Sequence, residues 1–224
     1  MLIKEADMES SFWHKCWERN ALGFHQQQVH PFLIEHFTSM CLSSDKHVFV
    51  PLCGKTLDMA YLAQFIRVTG NELSEIACRD FFLDNGFEYQ QQHIGDFTQY
   101  SCAQLSLLQG DFFGLSTGLI GNVDWIYDRA GLIALPVSMQ QKYVEHLKTF
   151  FSVCTRLFLV TLEFPSKQIK GPPFAITADD VEKLFSGFKV TCVATNELED
   201  KQFAQRSLDV DYLQEKLFII SLDD

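Results

Sequence analysis

With 224 residues, 47% of them hydrophobic and 21% charged, the chain has the composition of a globular protein, which excludes a disordered tail and a membrane-spanning bundle. Lys+Arg 18 against Asp+Glu 29 leaves a net charge of −11, a field that repels phosphate backbones and anionic lipid, so neither nucleic acid nor a membrane is expected as partner. The length suits one α/β domain, expected over 1–224 with an N-terminal helical lid at about 10–40.

Residues 1–10 mix charges with no apolar leader segment, and the seven cysteines form no Cys-x-x-Cys pair. Reduced, mostly buried thiols in a cytoplasmic protein are expected. The aromatic run Phe12, Trp13, Trp17, Phe24 leads into Val29, Phe32, Leu33, His36, Phe37, whose spacing predicts a helix. Lys46 to Val50 predicts a strand, Pro51 to Gly54 a turn, and Leu57, Ala60, Tyr61 and Phe65 a helix behind Thr56 as N-cap. Ile66 to Glu72 follows as strand, Ser74 to Asn85 as a helix closed by Gly86, and Leu105 to Gln109 as strand. Val123 to Asp128 is a further strand, and Ser138 with Gln141 forms the pattern of a capping box before Tyr143, Val144 and Leu147. Arg156 to Leu162 predicts a central strand, Thr177 and Asp180 a capped helix, and Phe188 to Ala194 and Leu217 to Leu222 the last two strands. Strands alternating with helices imply βαβ units around a largely parallel sheet.

Ligands of such a sheet lie beyond the carboxyl ends of its strands, so the residues just after each strand matter most. Glu72 ends the second predicted strand, 18 residues past Gly54, where an acid accepts hydrogen bonds from a ribose diol. An exposed strand-end carboxylate is the competing reading. Gly54-Lys55-Thr56 resembles the tail of a P-loop, but the required first glycine falls at Phe49. The turn offers one glycine where a pyrophosphate needs several, which disfavours a nicotinamide oxidoreductase. A ribose-binding acid without phosphate machinery suits S-adenosyl-L-methionine.

The ordered blocks Phe12-Trp13-x-x-x-Trp17, Gly23-Phe24-His25, Val48 to Lys55, Glu72 to Glu75, Gly110 to Phe113, Tyr127 to Ala130, Leu132 to Pro136 and Gly171-Pro172-Pro173-Phe174 resemble the thiopurine S-methyltransferase family, in particular its bacterial members, from about residue 11 to 222. The resemblance implies a class I methyltransferase (Rossmann-like) α/β fold: a seven-stranded, mostly parallel sheet of order 3-2-1-4-5-7-6, its last strand antiparallel, with helices on both faces. It implies cofactor contacts at Trp17, Leu52, Glu72 and Arg129, with Gly54 in the turn and Asp111 and Phe112 beside the adenine. It also implies walls around an acceptor thiol from Phe24, Pro172 and Pro173. Its substrates are small aromatic and heterocyclic thiols and, in bacteria, selenium and tellurium compounds. Cys16 and Asn71 depart from the family pattern, and Arg206 aligns loosely with a second basic substrate residue.

Methyl transfer from a sulfonium is an in-line displacement, so the protein mainly positions the acceptor and excludes water. Arg129 is the expected catalytic group, favouring a thiolate, holding the cofactor's carboxylate, or both. His25, His30 and His36 miss the i, i+4 spacing of paired ligands and read as surface or capping residues, so no metal is expected. Cys53 reads as a buried thiol in a turn rather than a nucleophile. The alternatives are a same-fold methyltransferase of halide, thiocyanate or a metalloid, and a silent cofactor-binding protein; a monomer is the default assembly.

Overall fold

The computed structural model describes residues 10–223, so the expected domain over 1–224 reaches outside the described residues at 1–9 and 224. The chain opens with α1 (Ser10–Glu18) and a π turn (Leu33–Phe37) running into α2 (Thr38–Met40). There follow β1 (His47–Val50), α3 (Leu57–Leu62), β2 (Arg67–Glu72), α4 (Glu75–Asp84), β3 (Gln90–Ile94), β4 (Phe97–Cys102) and β5 (Leu105–Gln109). The second half comprises α5 (Thr117–Ile120), β6 (Trp125–Arg129), α6 (Gly131–Ala134), α7 (Val137–Lys148), β7 (Arg156–Glu163), α8 (Ala178–Leu184) and β8 (Phe188–Glu197). Two short strands, β9 (Gln202–Phe203) and β10 (Arg206–Ser207), pair with each other before β11 (Gln214–Leu222).

The main sheet has the order β3-β4-β5-β2-β1-β6-β7-β11-β8. Strands β5, β2, β1, β6 and β7 are parallel, and β11 runs antiparallel to both β7 and β8. The expected count of seven and its stated order are thereby corrected: the antiparallel hairpin β3–β4 extends the sheet beside β5. Its outer strand β3 escapes hydrophobic patterning because Gln90-Gln91-Gln92-His93 is exposed throughout and shows no apolar alternation, whereas β4 buries Phe97, Thr98 and Tyr100.

Side chains alternate across the sheet and build a core on each face. Phe49, Ile126, Leu157 and Leu159 pack with Tyr143, Val144 and Leu147 of α7. Val48, Val50, Trp125, Tyr127 and Phe158 pack on the other side with Phe37, Met59, Leu62, Phe81 and Phe82. Each fully buried side chain of this size contributes roughly 1.5–3 kcal/mol of transfer free energy, which holds the strand ends in register.

Three local expectations change. Helix α7 has Pro136 as N-cap with no side-chain cap, so there is no capping box at Ser138; the Gln141 amide donates instead to Glu145. The inner face of α3 carries Asp58, Met59 and Leu62, while Phe65 is half exposed beyond the helix. The cysteines are all free, but only Cys53 and Cys78 are buried. Thr56, Ser74 and the Thr177/Asp180 capping box cap their helices. Among the described residues no helix is long and apolar enough to cross a membrane.

Candidate active site

A cavity of about 550 Å³ lies across the carboxyl ends of β1, β2, β5 and β6, beneath α1 and the segment that follows it. Every residue singled out from the sequence, namely Trp17, Phe24, Leu52, Gly54, Glu72, Asp111, Phe112, Arg129, Pro172 and Pro173, lines it. Two of its turns hold non-glycine residues in the left-handed region, Leu52 at φ 47° after β1 and Ala130 at φ 77° after β6. Such strain is retained where the surrounding structure over-determines the backbone.

Glu72 is buried, not the exposed strand-end carboxylate of the competing reading. Its Oε2 accepts from the Gly54 N–H at 2.9 Å and its Oε1 from the Ser74 N–H at 2.7 Å. Burial pushes this carboxyl up to about 6, against the pull of those two N–H donors. A carboxylate offers about four lone-pair positions, so after these two bonds Glu72 keeps capacity for a diol. Gly54 stands at φ 54°, and a Cβ there would meet the Trp17 ring at 3.3 Å. Asp111 is exposed and caps the turn Phe112–Gly114 by accepting from Phe113 N–H at 3.0 Å. Phe112 is buried against Tyr143, with ring centroids 4.9 Å apart. Asn71 ties β2 to the end of β5, its Nδ2 donating to Leu108 O at 3.0 Å and Gly110 O at 3.1 Å, while its buried Oδ1 has no partner among the described residues.

Arg129 is held from below by residues that sequence spacing did not single out. Its Nε lies 3.4 Å from Asp58 Oδ2 and its Nη2 donates to Thr56 Oγ1 at 3.1 Å. Tyr127 Oη donates to the same Asp58 oxygen at 2.9 Å, and the His30 N–H donates to Asp58 Oδ1 at 2.8 Å. His30 is buried rather than at the surface; its Nδ1 accepts from Phe32 N–H, and its Nε2 lies 3.3 Å from Glu215 Oε1. Burial opposes the charge on Arg129, but Asp58, Tyr127 and Glu215 hold it above the ordinary arginine range. No sequence signal separates Asp58 from any acid in a first helical turn; only the convergence of α3 with the end of β6 does. Asp128, beside Arg129, accepts from Tyr143 Oη at 2.7 Å and from the N–H groups of Gly131 and Leu132, and burial pushes it up to about 6.

The opposite wall is aromatic. Trp13 and Trp17 meet Phe24 edge-on at 5.6 and 5.7 Å, so all three rings form one cluster over the cavity. Pro172 and Pro173 follow consecutive cis bonds, and the carbonyl of Pro172 accepts from Arg206 Nη1 at 2.9 Å. His25 belongs to this wall too, which corrects its reading as a surface or capping residue. Cys53 is sealed in its turn, and burial beside Glu72 and Cys78 raises its thiol well above the usual range, so no thiolate forms there. Among the described residues no group of three or more His, Cys, Asp or Glu side chains is placed to hold a metal ion.

The lining fits a phosphate-free nucleoside. It offers one buried acid with free lone pairs, apolar rings and four cations, Lys55, Arg129, Lys142 and Arg206, and its volume lies in the ~300–1,000 Å³ range of small-molecule sites. Comparison with known proteins agrees. A family model described as thiopurine S-methyltransferase matches residues 8–222. The thiopurine S-methyltransferase of Shewanella baltica is 39% identical over 217 residues, 95% of this chain and 99% of that one. That of Pseudomonas paraeruginosa is 37% identical over 215 residues, with the same shares of 95% and 99%. Among solved structures, a SAM-dependent methyltransferase from Anabaena variabilis has a similar fold, with TM-score 0.66 at 15% identity over 96% of this chain and 95% of that one. The 1,6-didemethyltoxoflavin-N1-methyltransferase of Burkholderia thailandensis, solved with S-adenosylhomocysteine bound, has TM-score 0.64 at 14% identity, covering 100% of this chain and 92% of that one.

Proposed function

Since the chain belongs to the thiopurine S-methyltransferase family and is an S-adenosylmethionine-dependent methyltransferase, we propose that its acceptor is the thiol of an aromatic or heterocyclic molecule, with selenium or tellurium compounds as further acceptors. When bound, the cofactor supplies a methyl group already activated on a sulfonium. The observation that carries this reading is the continuity of one cavity from the Glu72 carboxylate to the wall of Phe24, Pro172 and Pro173. In this reading Glu72 holds the ribose, Asp111 and Phe112 border the adenine, and Leu52 and Gly54 form the floor. Trp17, within a lid spanning residues 10–40 of a single domain, closes the site and excludes water. Arg129 serves the cofactor's carboxylate and favours an anionic acceptor through the same guanidinium. Phe24, Pro172 and Pro173 press a flat ring into line with the methyl group, the geometry an in-line displacement needs. The free cysteines support a reducing, cytoplasmic setting, and we take the chain to act as a monomer.

The test is calorimetric titration with S-adenosylhomocysteine, followed by transfer of a radiolabelled methyl group to a panel of aromatic thiols, selenols, halides and thiocyanate. Transfer to the thiols supports the proposal, and transfer confined to halide or thiocyanate replaces it. Binding without any transfer would mark a silent cofactor-binding protein. Arg129→Ala is expected to raise the KM for the cofactor or to lower kcat most at acidic pH.

A further inference from the structure

We propose that His25 is the catalytic base that takes the proton from the acceptor thiol, an assignment that rests on the thiol reading above. Few groups on the cavity wall can accept a proton at all. Arg129 and Lys55 are cations without a free lone pair, the first against Asp58 and the second 2.8 Å from Asp84. Arg206 donates to the Pro172 carbonyl, and the Lys142 ammonium lies 4.1 Å from the centre of the Phe113 ring. The two carboxylates, Glu72 and Asp111, already accept backbone N–H groups at the other end of the cavity.

His25 is different. It follows Phe24 directly, lines the main cavity, and also lines an adjoining cavity of about 720 Å³ that shares Phe24, Pro172 and Arg206 with the first. Its backbone is fixed on both sides, the N–H donating to Leu22 O at 2.8 Å and the carbonyl accepting from Gln205 Nε2 at 3.0 Å. Neither ring nitrogen hydrogen-bonds to another described residue, so the ring that lines both cavities is not engaged elsewhere in the fold. Burial lowers its basicity first, and Lys55 and Arg129 add to that, with Asp84 and Asp58 opposing. At neutral pH the ring therefore keeps a free lone pair.

The step balances within the known reactants. The S–H bond breaks and its proton goes to a ring nitrogen of His25, while the sulfur pair forms the new S–CH₃ bond as the old methyl–sulfonium bond breaks. A thioether leaves on each side, and the imidazolium passes its proton from a half-buried position to solvent.

The experiment compares wild type and His25→Gln across ring-substituted aromatic thiols whose pKa values span neutrality, reading kcat/KM at pH 7. The variant is expected to lose roughly 10²–10⁴-fold with thiols that are protonated at that pH and less than about threefold with those already ionised. An equal loss across the series, or none, overturns the assignment, because a structural role is blind to acceptor pKa. His14→Gln runs in parallel, since His14 also lines the main cavity; a pKa-dependent loss in that variant alone also overturns it. Independently of turnover, ¹H–¹⁵N spectra of histidine-labelled wild type without cofactor should show His25 titrating below the ordinary histidine value of about 6.5. A value well above the assay pH of 7 would leave the ring protonated and sink the proposal. If wild type methylates no thiol at all, the thiol reading fails and takes this assignment with it, an outcome distinct from any variant result.

Discussion

The guanidinium of Arg129, at the end of β6, rests 3.4 Å from the carboxylate of Asp58 on α3, and the two side chains are 6% and 0% exposed. The pair is thus the electrostatic floor of the cavity. It fixes a cation at the mouth of the parallel sheet while cancelling much of its charge, the setting in which Arg129 would act in the proposed reading. Removing one partner of a buried pair strands the other, which typically costs about 3–5 kcal/mol. Asp58→Asn is therefore expected to destabilise the fold by that amount in urea titration; a loss below about 1 kcal/mol would mean that water screens the guanidinium.

In the proposed reading, in which Glu72 holds the ribose, this carboxyl sets a pH limit on cofactor binding. Its folded-state value of about 6 lies above the ordinary 4.5, so protonation favours the folded chain: that contribution is complete below about 4.5 and is lost as the pH rises through 6. Binding runs the other way, because only the carboxylate accepts from two hydroxyls. Affinity for S-adenosylhomocysteine should fall as the pH drops below 6. Hydrogen bonds to a charged group contribute roughly 1.5–3 kcal/mol each, so Glu72→Gln should weaken binding at least tenfold at pH 7.5 and flatten the pH dependence. Calorimetry at pH 5 and 7.5 reads both.

Gly54 sits against Trp17, which the proposed reading places in a lid. Its φ of 54° strains any residue with a Cβ, and a methyl group there would press on the Trp17 ring at 3.3 Å, forcing it to give by a few tenths of an ångström. Gly54→Ala is expected to cost about 1–2 kcal/mol in backbone strain and to weaken S-adenosylhomocysteine binding by displacing Trp17. Unchanged affinity and unchanged tryptophan fluorescence would show that the lid does not bear on this turn.

Arg206 lines the cavity beside Pro172. It donates to the carbonyl of Pro172 at 2.9 Å, on the acceptor side. Arg206→Ala should raise the KM for an anionic thiol and leave the affinity for S-adenosylhomocysteine unchanged. A matching loss of both would place the residue in lid closure instead.

Much of this was legible before any coordinates. Strand-terminal positions can be read from alternation and turn residues, so Leu52, Glu72, Asp111 and Arg129 were identifiable as neighbours at one sheet edge although up to 77 residues separate them. Hydrophobic periodicity also reveals seven of the nine strands of the main sheet but misses β4, although its Phe97 and Tyr100 are buried. It was silent on β3, whose polar side chains pay no regard to the core, and on Asp58, an acid that spacing cannot tell from a solvated one.

From the sequence alone come the α/β class, the single-glycine turn that disfavours a pyrophosphate, and the family of ordered motifs. Those properties are local, each set by side-chain chemistry within a few residues. Only the tertiary structure decided that Asp58, Tyr127 and His30 converge under Arg129, that both oxygens of Glu72 are engaged by backbone N–H groups, and that His25 turns onto the cavity wall. The reason is that burial and partner choice depend on which elements the sheet brings together, and a buried charge declares its role only through the groups that surround it.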